Sequence, residues 1–334
     1  MSLTRAAITS VGRFLPKRIL TNKDLEGIID TSDEWIVQRT GIRSRHCLEP
    51  GLGNSYMASR AAKDCLKRVG VLPSEIDTII VGTISPDMFF PSTACLVQKM
   101  IRANNAWGFD LSAGCSGFLF ALTTGTMFIE SGRYKKVLVI GSDVNTIYLT
   151  PEDRSTYVLF GDGAGAVLLE PSVDPDLGII DFEKRIDGVG EPYLQVKGGG
   201  SRRPATLETV KNNEHFVYQD GKTVFKYAVK NMADVAVAMM ERNNLQNSDL
   251  DLFVPHQANL RIIEACAKRM DLDISKVIIN IDKYANTTCG TIPLCLYDAV
   301  DQGRLKKGDR VIIASFGAGF SWGGVYLRWA MNST

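Results

Sequence analysis

Asp110-Leu111-Ser112-Ala113-Gly114-Cys115-Ser116-Gly117, running on into Phe118-Leu119-Phe120-Ala121-Leu122, is the stretch from which the rest of the chain can be read. A short strand, Ala106 to Asp110, leads into small residues and then into an apolar helix, with Cys115 at the junction. Gly114 and Gly117 flank it, which lets the backbone turn sharply and approach a ligand. A thiol placed there sits near unpaired N–H groups at the positive end of a helix, a setting that favours thiolate. Most free cysteines are buried and inert. A strand, a tight turn and a helix is also the setting of a catalytic nucleophile, so a structural cysteine and a nucleophile both stand as readings of Cys115.

The bulk properties narrow the class. The chain has 334 residues, 45% hydrophobic and 22% charged, enough for one large domain or two ordinary ones. Its net charge of +1 makes no case for nucleic acid, and any acidic partner needs a local basic patch. Seven cysteines, an odd count with no C-x-x-C spacing, speak against a disulfide framework, a zinc ribbon or a thioredoxin motif. They fit a reducing compartment, so a cytoplasmic location is expected. Met1 to Ala6 lacks a signal-peptide h-region, and the most apolar run, Phe118 to Ile129, is too short to span a bilayer. It reads as a helix buried in a core.

Outward from Cys115, apolar strands alternate with helical segments. On the N-terminal side, capped helix starts fall at Thr21 and at Thr31-Ser32-Asp33-Glu34-Trp35, an amphipathic helix covers Met57 to Val69, and Asp77 to Gly82 is a buried strand. Ser92 opens a helix to about Ala103. Lys23, Arg39, Arg43 and Arg45 make a candidate phosphate-binding rim on which Trp35 offers a stacking plane. On the C-terminal side, Lys136 to Gly141 is a buried strand. Phe160 to Leu169 is glycine-rich and then strand-like, with close backbone packing expected there rather than a phosphate loop, since no helix with Lys-Ser/Thr follows. Residues 171–220 are the least regular. Phe225 to Asn243 is a helix, Leu250 to Pro255 a strand delivering His256, and Asn259 to Met270 a helix. Val277 to Ile281 is a strand delivering Asn286, Thr291 to Gln302 a helix, and Arg310 to Ser315 and Ser321 to Trp329 strands around the turn Phe316-Gly317-Ala318-Gly319-Phe320.

The two halves echo each other. Gly132-Arg133-Tyr134-Lys135-Lys136 and Gly303-Arg304-Leu305-Lys306-Lys307 each precede a buried strand, and Cys115 and Asn286 each lie 17 residues before that glycine. A duplicated α/β unit with halves 1–175 and 176–334 and mainly parallel sheets is expected, with both junctions at strand ends where such sheets bind ligands. Cys115, His256 and Asn286 then each follow a buried strand. Of the three histidines, His46 and His215 lie in irregular polar stretches. Thiol plus imidazole makes an activated nucleophile, and an asparagine N–H can hold an oxyanion without titrating. No Asp or Glu is expected in the set. The same chain order of Cys, His and Asn occurs in papain-like proteases. This cysteine, however, is far from the N-terminus and lacks their local context.

At these motifs the sequence resembles the thiolase superfamily, and within it the β-ketoacyl-acyl carrier protein synthase III family. The matching stretches are Thr31-Ser32-Asp33-Glu34-Trp35-Ile36, Arg39-Thr40-Gly41-Ile42-Arg43, Ala113-Gly114-Cys115-Ser116-Gly117 and Phe160-Gly161-Asp162-Gly163-Ala164-Gly165. Val254-Pro255-His256-Gln257-Ala258-Asn259-Leu260-Arg261, Asn286-Thr287 and Phe316-Gly317-Ala318-Gly319 complete the set, in order along essentially the whole chain. The resemblance implies a duplicated thiolase-like core layered α-β-α-β-α. It also implies a two-step condensation: Cys115 takes an acyl group from acyl-CoA, and His256 and Asn286 assist decarboxylation of malonyl-acyl carrier protein (ACP). The backbone N–H groups of Cys115 and Ala318 hold the acyl oxygen.

By the same resemblance Thr31, Trp35, Arg39, Arg154, Gly221, Phe225 and Asn259 contact CoA. Lys226, Gln257, Arg261, Lys268 and Arg269 meet the acidic carrier protein. Phe90 closes a partner's acyl pocket in a cytosolic homodimer that initiates fatty acid biosynthesis. No cofactor, metal, nucleic acid or membrane is implied. Ala285, Thr288-Cys289-Gly290-Thr291 and Ala318 depart from the usual residues, and the 190–215 loop looks longer than usual. These departures leave the acyl primer and the acceptor open, including a condensing relative in secondary metabolism. A cysteine hydrolase and a catalytically degenerate CoA-binding partner are the readings from other classes.

Overall fold

In the computed structural model, which describes residues 4–332, two sheets carry the same strand order. Met1, Ser2 and Leu3 of the N-terminal stretch lie outside the described residues. The N-terminal part runs β1 (Ala6–Phe14), β2 (Arg18–Thr21), α1 (Asn22–Glu26), α2 (Asp33–Thr40), β3 (Ser44–Cys47), α3 (Asn54–Val69), β4 (Thr78–Gly82) and α4 (Thr93–Ile101). It continues with β5 (Trp107–Leu111), α5 (Gly117–Glu130), β6 (Val137–Asp143), α6 (Arg154–Tyr157) and β7 (Gly163–Pro171). The rest is β8 (Gly178–Ile186), β9 (Leu194–Val196), α7 (Leu207–Lys211), β10 (Val217–Gln219), α8 (Gly221–Arg242), β11 (Leu252–Pro255), α9 (Leu260–Arg269), α10 (Ile281–Tyr284), α11 (Thr291–Asp301), β12 (Arg310–Gly317) and β13 (Ser321–Arg328).

The first sheet is ordered β1-β7-β6-β4-β5 and the second β8-β13-β12-β11. In each, the first two pairings are antiparallel and the next is parallel. The sheets are therefore mixed, and the expected mainly parallel pairing is corrected: β1 and β8 each return antiparallel beside a strand late in their half. The repeat breaks at one place. Val277 makes a single parallel bridge to Phe253 where β5 pairs β4 in the first half. The expected strand 277–281 does not continue, because Asn280 turns its amide to the Asp298 carboxylate (2.9 Å) and α10 begins directly after it. Part of the irregular region 171–220 is likewise regular. β8 is the edge strand of the second sheet, and β9 and β10 form a small antiparallel ribbon.

The inner strands of each sheet are buried on both faces, so β4, β6, β11 and β12 are apolar at nearly every position. Alternation then assigns residues to layers. Ile79, Val81, Leu138 and Ile140 face α3 and α4 on one outer side. Ile80, Val137, Val139 and Val167 face inward, against Phe118, Leu119 and Leu122 of α5 and Ile292 and Leu296 of α11, with Leu252, Val311, Ile313 and Val325 of the second sheet closing that core. Phe253, Ile312 and Ala314 face α8 and α9 on the other outer side. The result is the five-layered α-β-α-β-α arrangement, with α5 and α11 in the middle. Helix α5 tolerates threonines there because Thr123 and Thr126 donate to the carbonyls of Phe120 (3.0 Å) and Leu122 (2.9 Å), one turn back. Among the described residues no helix is long and apolar enough to cross a membrane.

Candidate active site

The central helices α5 and α11 both start at the same end of the sandwich as the strand ends of β5, β11 and β12, and the site is built there. Cys115 lies two residues before α5, not in its first turn. Gly114 takes φ +55°, and a Cβ on it would fall 2.6 Å from the backbone N and O of Ala318. A Cβ on Gly317 would fall 2.4 Å from the Cys115 backbone N. Only with glycine at these two positions can the turn between β12 and β13 lie directly against the nucleophile turn. Ser321 Oγ donates to Ala113 O (2.6 Å) and Ser315 Oγ to Cys115 O (3.2 Å), fastening the two turns together.

The thiol is 7% exposed. Burial pushes its pKa up to about 12, with the nearby Asp143 charge adding to the rise, while the N–H groups of Ala318 and of Cys115 itself pull it back. The expected thiolate is therefore corrected: desolvation outweighs the helix end, and the resting group is a thiol. The two N–H groups that act on the sulfur also identify where an oxyanion next to it would be held.

His256 follows β11, its backbone N–H donating to Ala314 O (2.8 Å) as the ladder with β12 runs out. Its ring Nδ1 lies 2.7 Å from Thr291 Oγ1, at the start of α11. Burial drives the imidazole down to about 3, so it rests neutral. Asn286 is held by the chain segment before β7: its N–H donates to Leu159 O (3.0 Å), and Gly161 N–H donates to its carbonyl (3.1 Å). Its Oδ1 accepts from Thr288 N–H (2.8 Å), which leaves Nδ2 as a free donor. The loop bearing Thr288 and Cys289 is anchored from below by Asp143. That fully buried carboxylate takes Thr288 Oγ1 and Cys289 N–H on one oxygen and four donors from Thr83, Ile84 and Ser85 on the other. Asp143 bonds none of the three side chains and stands behind the set, in support of the loop between Asn286 and α11. The signal available in the sequence was a charged residue closing an otherwise apolar strand.

Cys115, His256, Asn286 and Ala318 line one cavity of about 1260 Å³, together with Trp35, Arg39, Gly221, Phe225, Asn259 and Arg261. Its outer rim is basic and aromatic. The guanidinium groups of Arg39 (4.8 Å) and Arg154 (4.7 Å) both lie against the Trp35 ring, and Arg261 sits over Phe225 (5.5 Å). Lys222, not singled out in the sequence, lines the rim as well. Asn259 caps α9 through Arg261 N–H (2.9 Å) and donates to Arg39 O (3.0 Å), tying the two rim helices together. Thr31 stands beside α2, outside the lining, with its hydroxyl buried and unpartnered among the described residues. Lys226, Lys268 and Arg269 are exposed on α8 and α9, Arg269 beside Asp234 (3.2 Å).

Two placements differ from expectation. Gln257 is 1% exposed and spends its amide on Pro255 O (2.9 Å) and Ile278 O (3.2 Å), so it does not reach a surface partner. Arg45 is buried against Asn22 and Val158 O rather than on the rim. Phe90, expected to act across a dimer, is 85% exposed and lies outside this chain's own cavity. Among the described residues no group of His, Cys, Asp or Glu is placed to hold a metal ion.

A duplicated α/β unit forming five layers, with a cysteine at the bend before a central helix, defines a condensing enzyme of the thiolase type. The sequence matches the family 3-oxoacyl-[acyl-carrier-protein (ACP)] synthase III over residues 109–188 and the C-terminal region of that family over 240–329. It is 54% identical over 330 residues to the β-ketoacyl-[acyl-carrier-protein] synthase III of Koribacter versatilis, covering 98% of this chain and 99% of that one. Among solved structures it is similar to the 3-oxoacyl-[acyl-carrier-protein] synthase III of Aquifex aeolicus, with 41% identity, a TM-score of 0.90 and coverage of 97% and 100%. It is also similar to the priming β-ketosynthase of the R1128 polyketide biosynthetic pathway, with 34% identity, a TM-score of 0.91 and coverage of 100% and 99%. The chain belongs to the β-ketoacyl-acyl carrier protein synthase III family and is an acyltransferase.

Proposed function

We propose that this chain joins an acyl-CoA primer to malonyl-ACP by decarboxylative Claisen condensation, releasing CO2 and 3-oxoacyl-ACP and so initiating fatty acid biosynthesis. The observation that carries the reading is the convergence of a buried thiol, an imidazole and a carboxamide N–H donor on one cavity that opens at a basic, aromatic rim. Trp35 and Arg154 hold the CoA adenine. Arg39, Thr31, Gly221, Phe225 and Asn259 flank the rest of CoA along the entry, where the N-terminus of α8 also faces the cavity.

Cys115 attacks the acyl thioester while the N–H groups of Cys115 and Ala318 hold the developing oxyanion. After CoA leaves, His256 and Asn286 hold the thioester oxygen of the malonyl group as CO2 departs. The enolate carbon then attacks the acyl-enzyme. Side chains and backbone N–H groups suffice for this chemistry, and acyl-CoA and malonyl-ACP enter as substrates.

Lys226, Arg261, Lys268 and Arg269, exposed on adjacent helices, receive the acidic carrier protein. A second copy pairs along β5, the edge of the first sheet, whose Trp107 is 46% exposed; Phe89 and Phe90, in the loop before α4, are exposed as well. In that homodimer Phe90 closes the partner's acyl pocket. The halves 1–175 and 176–334 act as one unit in the cytoplasm, with the nucleophile in the first half and His256 and Asn286 in the second.

Intact-protein mass spectrometry after mixing with acetyl-CoA tests the reading. An acyl adduct on the wild type, absent in Cys115→Ala, supports it, and no adduct with any of a panel of acyl-CoAs ends it. A priming role in secondary metabolism is the second reading, favoured by the similarity to the R1128 ketosynthase and by Ala285, Cys289 and Ala318 around the site. Competition among straight, branched and aromatic acyl-CoAs separates the two.

A further inference from the structure

Cys289, on the loop that carries Asn286, lays its sulfur against the turn that carries Cys115. Its Sγ is 3.2 Å from the carbonyl oxygen of Gly114, and a Cβ on Gly117 would fall 2.8 Å from the same sulfur. The residue has no exposed surface. Burial holds its thiol well above the ordinary range, the Asp143 charge adds to the rise, and the N–H of Phe118 pulls it back. The sulfur therefore keeps its proton. A carbonyl can only accept, so the S–H donates to Gly114 O. The sulfur in turn faces Phe118 N–H, one of the orphan donors in the first turn of α5. The N-cap residue of that helix, Ser116, supplies no side-chain acceptor and turns its hydroxyl to Ser321 O instead (3.1 Å). One thiol from the second half thus meets both an acceptor and a donor of the nucleophile turn. Its own backbone is fixed: Cys289 N–H donates to Asp143 (3.0 Å), and a Cβ on Gly141 would fall 2.1 Å from the Cys289 carbonyl oxygen.

We infer that Cys289 is a positioning residue: by holding the Gly114 carbonyl, it aims the Cys115 N–H at the oxygen of the acyl group. This deepens the condensation reading and rests on it. The link is the peptide bond between Gly114 and Cys115. In a planar trans peptide the C=O and the following N–H point in opposite directions, so whatever fixes one fixes the other. Gly114 O accepts from Gly117 N–H inside the turn (3.0 Å) and from the Cys289 thiol outside it. The opposed N–H is one of the two that act on the Cys115 sulfur. Gly114 takes φ +55° and has no Cβ, so its own sterics restrain the plane little and an outside contact is needed. A donor aimed before the substrate arrives needs no reorganisation when negative charge develops on the acyl oxygen. Hydrogen bonding at the carbonyl end also polarises the peptide and strengthens donation from its N–H. Because Cys289 shares its loop with Asn286, the donor for the acyl oxygen and the donor for the malonyl oxygen are set from one segment.

The test reads the Cys115 amide directly. The full chain is labelled with 15N-cysteine, and the Cys115 amide signal is assigned by its loss in Cys115→Ala. An amide shift follows the hydrogen bonding of the carbonyl in its own peptide, so Cys289→Ala is expected to displace that signal. Cys289→Ser keeps a donor at the same place and is expected to return it toward the wild-type position. The acyl-enzyme gives a second reading, made with acetyl-CoA carrying 13C at the carbonyl. The infrared band of that carbonyl is expected to move to higher frequency in Cys289→Ala, where the oxyanion donor is less well aimed, and to return in Cys289→Ser. Acylation is expected to slow by about two- to fivefold in Cys289→Ala, the weight of one S–H···O contact. KM for acyl-CoA is expected to stay within about twofold, since Cys289 does not line the cavity or its entry. A Cys289→Ala protein that melts lower yet keeps the wild-type amide signal and carbonyl band makes Cys289 a space-filling residue and overturns the proposal. A Cys289→Ser protein that matches Cys289→Ala in both readings overturns it as well. The acyl adduct on Cys115, scored by mass, decides the condensation reading, and the amide signal of the free protein is read without reference to it.

Discussion

Asp143→Asn tests whether the loop carrying Asn286 and Thr291 is held from beneath by a buried charge. The carboxylate accepts from Thr83 Oγ1 (2.8 Å), Ile84 N–H (2.8 Å), Ser85 N–H (3.1 Å) and Ser85 Oγ (2.8 Å) on one oxygen, and from Thr288 Oγ1 and Cys289 N–H (3.0 Å) on the other. Asparagine can keep its oxygen on the four-donor side, but its NH2 then faces the Cys289 N–H, donor against donor. One buried N–H loses its acceptor, which costs about 1–3 kcal/mol, and the remaining bonds lose their charge assistance, for a total of about 3–5 kcal/mol. Against a typical stability of about 5–15 kcal/mol the variant stays folded. Urea unfolding at fixed protein concentration, with the slope unchanged, measures the loss.

A second readout moves the other way. The Asp143 charge raises the Cys115 thiol, so its removal is expected to lower the pH at which the thiol becomes alkylated by iodoacetamide. Simple loosening would speed alkylation at every pH without moving that midpoint. A stability change below about 1 kcal/mol, or an alkylation midpoint that stays put or rises, refutes the reasoning.

His256, neutral when folded with burial holding it near 3 against 6.5 in the open chain, makes stability fall as pH drops below 6.5, because the unfolded chain binds a proton the folded one does not. The slope approaches about 1.4 kcal/mol per pH unit, and His256→Gln is expected to flatten it in acid unfolding curves; parallel curves would contradict the neutral burial. Gly317→Ala drives a methyl into the Cys115 backbone and is expected to lower the melting temperature and abolish acylation, whereas wild-type acylation would show that the two turns need not touch. Trp35→Ala is expected to raise KM for acyl-CoA by roughly 5- to 150-fold, from about 1–3 kcal/mol of base stacking, and to leave acyl-pantetheine thioesters that lack adenine unaffected. Equal losses on both substrates would remove Trp35 from adenine binding.

What the sequence determined by itself was local and periodic. Fully apolar strands, capped helices such as those starting after Ser32 and Ser92, and the matched spacing of Cys115 and Asn286 declare a duplicated layered α/β core, because burial on both faces demands apolar runs and helix ends demand acceptors for their N–H groups. The antiparallel return of β1 and β8, the loss of a strand at Asn280, and the burial of Gln257 and Arg45 were decided only by contacts between residues far apart in the chain. The charge state at the site is of the same kind. A helix start argues for a thiolate at Cys115, yet the desolvation that leaves a thiol is imposed by the packing of both halves around the sulfur, with the Asp143 charge adding to it. Electrostatic free energy depends on everything that displaces water near a group, and none of that is a property of neighbours in sequence.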